Sequence, residues 1–174
     1  VYDNEGWIRK LENFVIELHR KRHPLLGICF GHQMIAKALG GKTELATQGW
    51  GVGVQSYQKI VTEPWMEPDL EQFSISSFHK DQVTQLPEGA VLIAQNNFCP
   101  YSAYYIGNWL ISFQGHPELT KNYIRALLYH RENILGHEVL ESGIKSLEQQ
   151  IQPQIIAKWI LNFIHNRVVT KQGN

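Results

Sequence analysis

The chain has 174 residues, 43% of them hydrophobic and 18% charged, a balance that supports one core-forming domain and excludes long disorder. Sixteen basic residues cancel sixteen acidic ones, so no net field points toward nucleic acid or an anionic membrane. No apolar run approaches the ~20 residues of a membrane helix, and two cysteines seventy residues apart make no disulfide framework.

Trp7, Ile8, Leu11, Phe14, Val15 and Leu18 recur with a helical period and predict a first helix with one buried stripe, capped by Asp3 or Asn4. It must end before Pro24. Leu25 to Ile28 reads as a short buried strand of the parallel kind. A second helix starts near Gly31, with Met34, Ile35, Ala38 and Leu39 on its apolar face, and stops at Gly40-Gly41. From Lys42 to Phe113 the pattern turns to strands: Val52 and Val54 into Ile60-Val61, then Phe73–Phe78, Ala90–Ala94, Ser102–Ile106 and Trp109–Phe113. Gly107-Asn108 marks a hairpin between the last two. Beyond His116 the chain is helical: one helix through Ile124, Leu127, Leu128 and Leu135 to Gly136, a weak stripe over 138–150, and a last helix with Ile155, Ile156, Trp159, Ile160 and Phe163. The fold class is α/β, with parallel and antiparallel parts.

Two short segments carry chemistry. Leu25-Leu26-Gly27-Ile28-Cys29-Phe30-Gly31-His32-Gln33 ends an apolar strand on a cysteine flanked by glycines, and a helix follows at once. This is the pattern of a nucleophile elbow, a strained turn that pushes one side chain out of the fold. The positive end of the following helix is expected to favour the Cys29 thiolate. The second segment is Phe113-Gln114-Gly115-His116-Pro117-Glu118, 87 residues further on at His116. A residue before proline is extended, and residues two apart in extended chain point the same way. His116 and Glu118 are therefore expected on one side, as the base and its orienting carboxylate in a Cys-His-Glu triad.

Together these segments resemble the class I glutamine amidotransferase family, in its stand-alone branch related to the glutaminase domain of GMP synthase and neighbouring the γ-glutamyl peptidases. Phe78-His79-Lys80-Asp81-Gln82-Val83 is similar to that family's His-x-Asp-x-Val segment, and Cys99-Pro100 sits where many members have it. The resemblance implies a flavodoxin-like fold: a mixed sheet flanked by helices, with residues 120–174 as a helical extension of a single domain over 1–174. It implies that Cys29 attacks the side-chain amide of glutamine to form a γ-glutamyl thioester, with His116 moving protons and Glu118 holding the imidazole. It also assigns the Phe30 N–H to the oxyanion, and Gln33, Phe78, Lys80 and Asp81 to the substrate. Neither a cofactor nor a metal is implied. Family members carry further strands and a glycine-containing oxyanion loop ahead of the first helix, so the chain is expected to be N-terminally incomplete, with a free sheet edge.

Hydrolysis of γ-glutamyl peptides uses the same triad and stays open, as does a non-catalytic binding remnant of the fold. With no phosphate-binding loop of the Gly-x-x-x-x-Gly-Lys-Ser/Thr kind present, any synthetase or other ammonia acceptor is expected on another chain. No nucleic-acid or membrane partner is expected, and a nucleophilic thiol suits a cytoplasmic address. Cys99 is expected to pack in the core. His32 is expected to cap or face the elbow helix, and His79 to hold the substrate loop. Tyr101, Tyr104, Tyr105, Trp109 and Phe113 read as cross-strand aromatic packing, and the basic run over residues 19–23 as a solvated helix end.

Overall fold

The structure, a computed structural model, describes residues 1–172, with side chains through 166. Helix α1 (Gly6–Arg20) leads into strand β1 (Leu25–Ile28), helix α2 (Phe30–Ala38) and strand β2 (Lys42–Leu45). Strands β3 (Gly51–Lys59), β4 (Gln72–His79), β5 (Asp81–Gln85), β6 (Ala90–Gln95), β7 (Ala103–Ile106) and β8 (Leu110–Phe113) follow. Helices α3 (Lys121–His130), α4 (Glu132–Leu135), α5 (His137–Ser146) and α6 (Pro153–Gln172) close the chain.

Six strands form a mixed sheet in the order β1-β8-β7-β6-β3-β4, and β2 pairs with β5 in a separate two-stranded sheet. Only β1 and β8 run parallel, in the register Leu25↔Leu110 to Ile28↔Phe113. β7 and β8 form the expected hairpin, with Gly107 at φ 53°. Alternation along β8 splits its side chains between two layers. Ile111 and Phe113 join Tyr57, Phe73, Ile156, Trp159 and Phe163 under α6. Leu110 joins Ile8, Val15, Met34, Ile35 and Tyr104 under α1 and α2. A third cluster packs Val52 and Val54 of β3 against Ile124, Leu128 and Leu140 of α3 and α5.

Several local expectations change. The α1 stripe is narrower than its spacing suggests: Ile8 and Val15 are buried, but Trp7 and Phe14 are more than half exposed. The residue preceding α1 is Glu5, with no side-chain cap, while Asn4 accepts a hydrogen bond from the Arg9 guanidinium (2.7 Å). β1 lies at the sheet edge and Leu26 is 44% exposed, so the strand is not buried on both sides. β3 ends at Lys59 rather than continuing through Ile60-Val61. The helix expected through Leu135 is broken at Arg131 into α3 and α4. The aromatic residues of the β7–β8 hairpin do not pair with one another: Tyr105 meets Trp65 and Phe163, Tyr104 meets His32, and Trp109, just before β8, lies beside His19 and under the Arg22 guanidinium. The basic end of α1 therefore packs partly on Trp109 instead of facing only solvent. No described helix is long and apolar enough to cross a membrane.

Candidate active site

Because β1 and β8 are parallel neighbours, their carboxyl ends lie together, the place where open α/β sheets present ligand-binding groups. Cys29 follows β1 directly, and its N–H continues the ladder to the Phe113 carbonyl (2.9 Å). Its backbone is left-handed, with φ 49° and ψ −101°, an arrangement that costs a non-glycine residue about 1–3 kcal/mol. α2 begins at the next residue, as an elbow requires. A Cβ at Gly27 would stand 2.5 Å from Ile35 Cδ1 and 2.9 Å from the Gly31 backbone, so only glycine lets α2 close onto β1. Gly31 is different: nothing lies within 4 Å of where its Cβ would be. Of the two flanking glycines, the packing demands Gly27.

His116 sits just past β8. Its N–H donates to the Ser76 carbonyl (2.7 Å) in an isolated bridge to β4, and Ser76 Oγ donates to the Leu119 carbonyl (2.8 Å). Gly115 makes that approach possible, since a Cβ there would meet Ile75 Cδ1 at 2.6 Å. His116 Nδ1 is 2.6 Å from Glu118 Oε1, but the segment is not extended as expected: Pro117 and Glu118 form a turn, closed by the Leu119 N–H to the His116 carbonyl (3.4 Å), and the turn brings the carboxylate back to the imidazole. The imidazole is largely covered while the carboxylate is half exposed. With Nδ1 committed to Glu118, Nε2 is the nitrogen left for proton transfer.

The electrostatics of Cys29 differ from the expectation. Burial pushes its thiol up to about 11, and the Glu118 and Asp81 charges add to the rise. The Phe30 N–H and the Gln114 amide oppose it without offsetting it. The helix start is there as predicted, but desolvation outweighs it, so the resting group is a thiol.

The other predicted residues gather around the same end of the sheet. Gln33 is buried, and its amide donates to the Asp81 carbonyl (2.7 Å) and to Gln114 Oε1 (3.1 Å). Phe78 packs on Trp50 with ring centroids 5.4 Å apart, and the Lys80 ammonium lies 5.8 Å from the Trp50 ring centroid. The Asp81 carboxylate accepts from Tyr2 Oη (2.8 Å). His79 holds this loop as expected, donating from Nδ1 to the Asp81 carbonyl (2.9 Å). His32 is fully buried between Ser112 Oγ and the Tyr101 carbonyl, both at 2.9 Å, so it ties α2 to β8 rather than capping the helix. Cys99 is buried, its N–H bonded to Asn96 Oδ1 (2.6 Å), which matches the packing role. Among the described residues, no three His, Cys, Asp or Glu side chains gather as metal ligands.

Sequence reasoning passed over Gln114, whose Nε2 lies 3.6 Å from Cys29 Sγ. Gln114 lies two residues before His116 in the same short segment, but no local pattern points it at Cys29. Sequence reasoning also missed Ser76 and Trp50, whose roles depend on β3 and β4 meeting the segment after β8.

Residues 5–132 match the family described as glutamine amidotransferase class-I. The chain belongs to that family. It is similar to γ-glutamyl peptidase 2 of Arabidopsis thaliana, 29% identical over 85% of the chain and 62% of the relative. γ-Glutamyl peptidase 3 of the same plant is 30% identical over 89% of the chain and 65% of the relative. The chain thus spans a little under two thirds of the length of these two relatives. A crystal structure of a glutamine amidotransferase from Thermotoga maritima superposes with a TM-score of 0.71 at 20% identity, covering 97% of the chain and 73% of that protein. At that identity the likeness is one of fold, and it agrees with the mixed, helix-flanked sheet of a class I amidotransferase.

Proposed function

We propose that this class I amidotransferase chain is a cysteine-dependent hydrolase of the glutamine side-chain amide, releasing glutamate and ammonia through a γ-glutamyl thioester. The observation that carries the reading is the strained Cys29 elbow at the end of β1, beside a hydrogen-bonded His116–Glu118 pair at the end of the adjacent parallel strand.

Since Cys29 rests as a thiol, its proton must leave as the sulfur attacks. His116 Nε2 takes it while Sγ bonds the amide carbon, and Glu118 steadies the resulting imidazolium. The Phe30 N–H, at the start of α2, is the donor assigned to the oxyanion. Collapse of the tetrahedral species breaks the C–N bond, and His116 returns the proton to the departing ammonia. Water then gives a proton to His116 and its hydroxyl to the thioester carbon, so that glutamate leaves and the thiol re-forms. Lys80 and Asp81 offer opposite charges one residue apart, suited to the α-carboxylate and α-ammonium of a glutamyl group, with Gln33 and Phe78 behind them. Ammonia released here would be consumed by an acceptor on another chain, in a reducing, cytoplasmic setting.

A specific observation favours a second reading, hydrolysis of γ-glutamyl peptides. An apolar groove of about 510 Å³ runs past Glu118, lined by Leu26, Ile28, Pro117, Ala157, Ile160 and Leu161. Ammonia needs no such space, whereas an amino-acid leaving group does. The experiment is a parallel assay of glutamine and γ-glutamyl dipeptides by glutamate release, with mapping of a glutamine-analogue chloroketone adduct. Cys29→Ala and His116→Ala are each expected to lower turnover by at least ~10³-fold. Glutamate release that survives Cys29→Ala would overturn the mechanism. A folded protein with neither turnover nor Cys29 adduct would leave the fold as a non-catalytic binding module.

A further inference from the structure

Cys29, Gln114, Gln33 and Asp81 form an unbroken hydrogen-bonded chain from the sulfur to the start of β5. The Asp81 backbone carbonyl can only accept, so the group that meets it at 2.7 Å is the NH₂ of Gln33. That NH₂ carries two hydrogens, and the second reaches Gln114 Oε1 at 3.1 Å. With its carbonyl fixed toward Gln33, the Gln114 amide has one orientation left, and its own NH₂ lies 3.6 Å from Cys29 Sγ. The amide orientation at the sulfur is thus set by a backbone carbonyl two side chains away. The anchors are firm: Gln114 is fully buried, and its backbone N–H donates to the Ser102 carbonyl at 2.7 Å.

We propose that Gln114 is the thiol-orienting group of this site, held in its donating orientation by Gln33 and the Asp81 carbonyl. This rests on the reading of Cys29 as the nucleophile. A donor against one sulfur lone pair does two things. It turns the S–H proton away from Gln114, and it stabilises the thiolate more than the thiol, since bonds to ionised acceptors are the stronger ones. Both effects matter at a cysteine that burial holds protonated, with Glu118 and Asp81 raising its thiol further. The remaining ionisable groups acting in this region are Tyr57 from β3 and Cys99 from the loop before β7, which feel the Cys29 charge, and His116 and the His79 on which it acts. None of these four can replace the amide as a fixed donor: the thiol and the phenol stay protonated deep in the core, His79 donates to Asp81, and His116, with its Nδ1 engaged by Glu118, has its Nε2 as the acceptor of the thiol proton in the proposed function. The chain also links the sulfur to the loop assigned to the glutamyl group, so a shift of Asp81 would be felt at Sγ.

The test is the rate of iodoacetamide alkylation at Cys29 against pH, read by peptide mass spectrometry, with buried Cys99 as internal control. Well below the thiol pKa the logarithm of the rate rises linearly with pH, and a pKa change appears as a parallel offset. Gln114→Met keeps the volume and removes the donor, and should slow alkylation about tenfold at any pH between 7 and 9, equivalent to one pKa unit. Gln114→Glu places a carboxylate against the sulfur and should slow it further. Gln33→Met leaves the sulfur untouched but frees the Gln114 amide to rotate, and should give a smaller offset of the same sign. Thermal melts confirm that each variant is folded. An unchanged rate–pH line in folded Gln114→Met would overturn the proposal, whatever happens to Gln114→Glu. Because the readout is thiol chemistry, failure to hydrolyse glutamine would count against the proposed function and leave this result standing.

Discussion

His32 and His79 are both neutral in the folded protein. Burial holds the first down to about 3 and the second to about 4. In the unfolded chain both titrate near pH ~6.5. Between about 6.5 and 4 the unfolded state binds protons that the folded state refuses, so stability is full above pH 6.5 and falls as pH drops through that window. Each histidine contributes up to about 1.4 kcal/mol per pH unit there. Urea unfolding at pH 7.5, 6 and 5 should show a falling midpoint, and His32→Asn should flatten that fall even though it lowers stability at pH 7.5. The same competition between charge and burial explains why Cys29 differs from its sequence-based expectation. A helix start can be recognised from Gly31-His32-Gln33, but side-chain groups that act on the sulfur come from segments distant in the chain. Gln114 and Asp81 lie 85 and 52 residues away, and no local pattern brings them to Cys29.

At the scale of elements, α2 and β1 behave as one unit because Gly27 allows them to touch. Gly27→Ala should cost about 1–3 kcal/mol through forced shifts of Ile35 and the Gly31 backbone. Gly31→Ala meets open space inside a helix and should be neutral or up to ~1 kcal/mol stabilising. Thermal denaturation of the two variants separates these outcomes. The strands rich in aromatic and β-branched residues, β4 and β6 to β8, were legible because many of these residues are buried. β2 and β5 were not, since Lys42-Thr43-Glu44-Leu45 is mostly exposed and Asp81–Gln85 is largely polar. Period alone also misjudged α1: Trp7 and Phe14 keep helical spacing, yet both stay more than half exposed, Trp7 with the Phe30 ring 5.7 Å away.

At the scale of the molecule, the α/β class was readable from the order of helical and alternating apolar periods, and the proposed Cys29, His116 and Glu118 site stands out through local signals, a glycine-flanked cysteine and a His-Pro-Glu. Strand order was not, because nothing in the sequence says that Leu25–Ile28 pairs on one side only. That single-sided pairing leaves an apolar sheet edge flanked by grooves, and such edges promote self-association. Leu26→Lys should lower the concentration dependence of light scattering without changing the far-ultraviolet circular dichroism. An equal dependence in both proteins would place any self-contact elsewhere.

The β1–β8 pairing joins residues 85 positions apart, the widest separation between neighbouring strands in the sheet. The other ladders of that sheet close shorter loops, which cost less entropy and form sooner. β1 is therefore the strand that completes the assembly, and its docking creates both the strained cysteine backbone and the meeting of Cys29 with the His116 segment. A growing or half-folded chain carries only an ordinary, relaxed thiol and a distant imidazole. On the proposed function, the assembled site and the final long-range contact arrive in one step, so an incompletely folded molecule lacks that site.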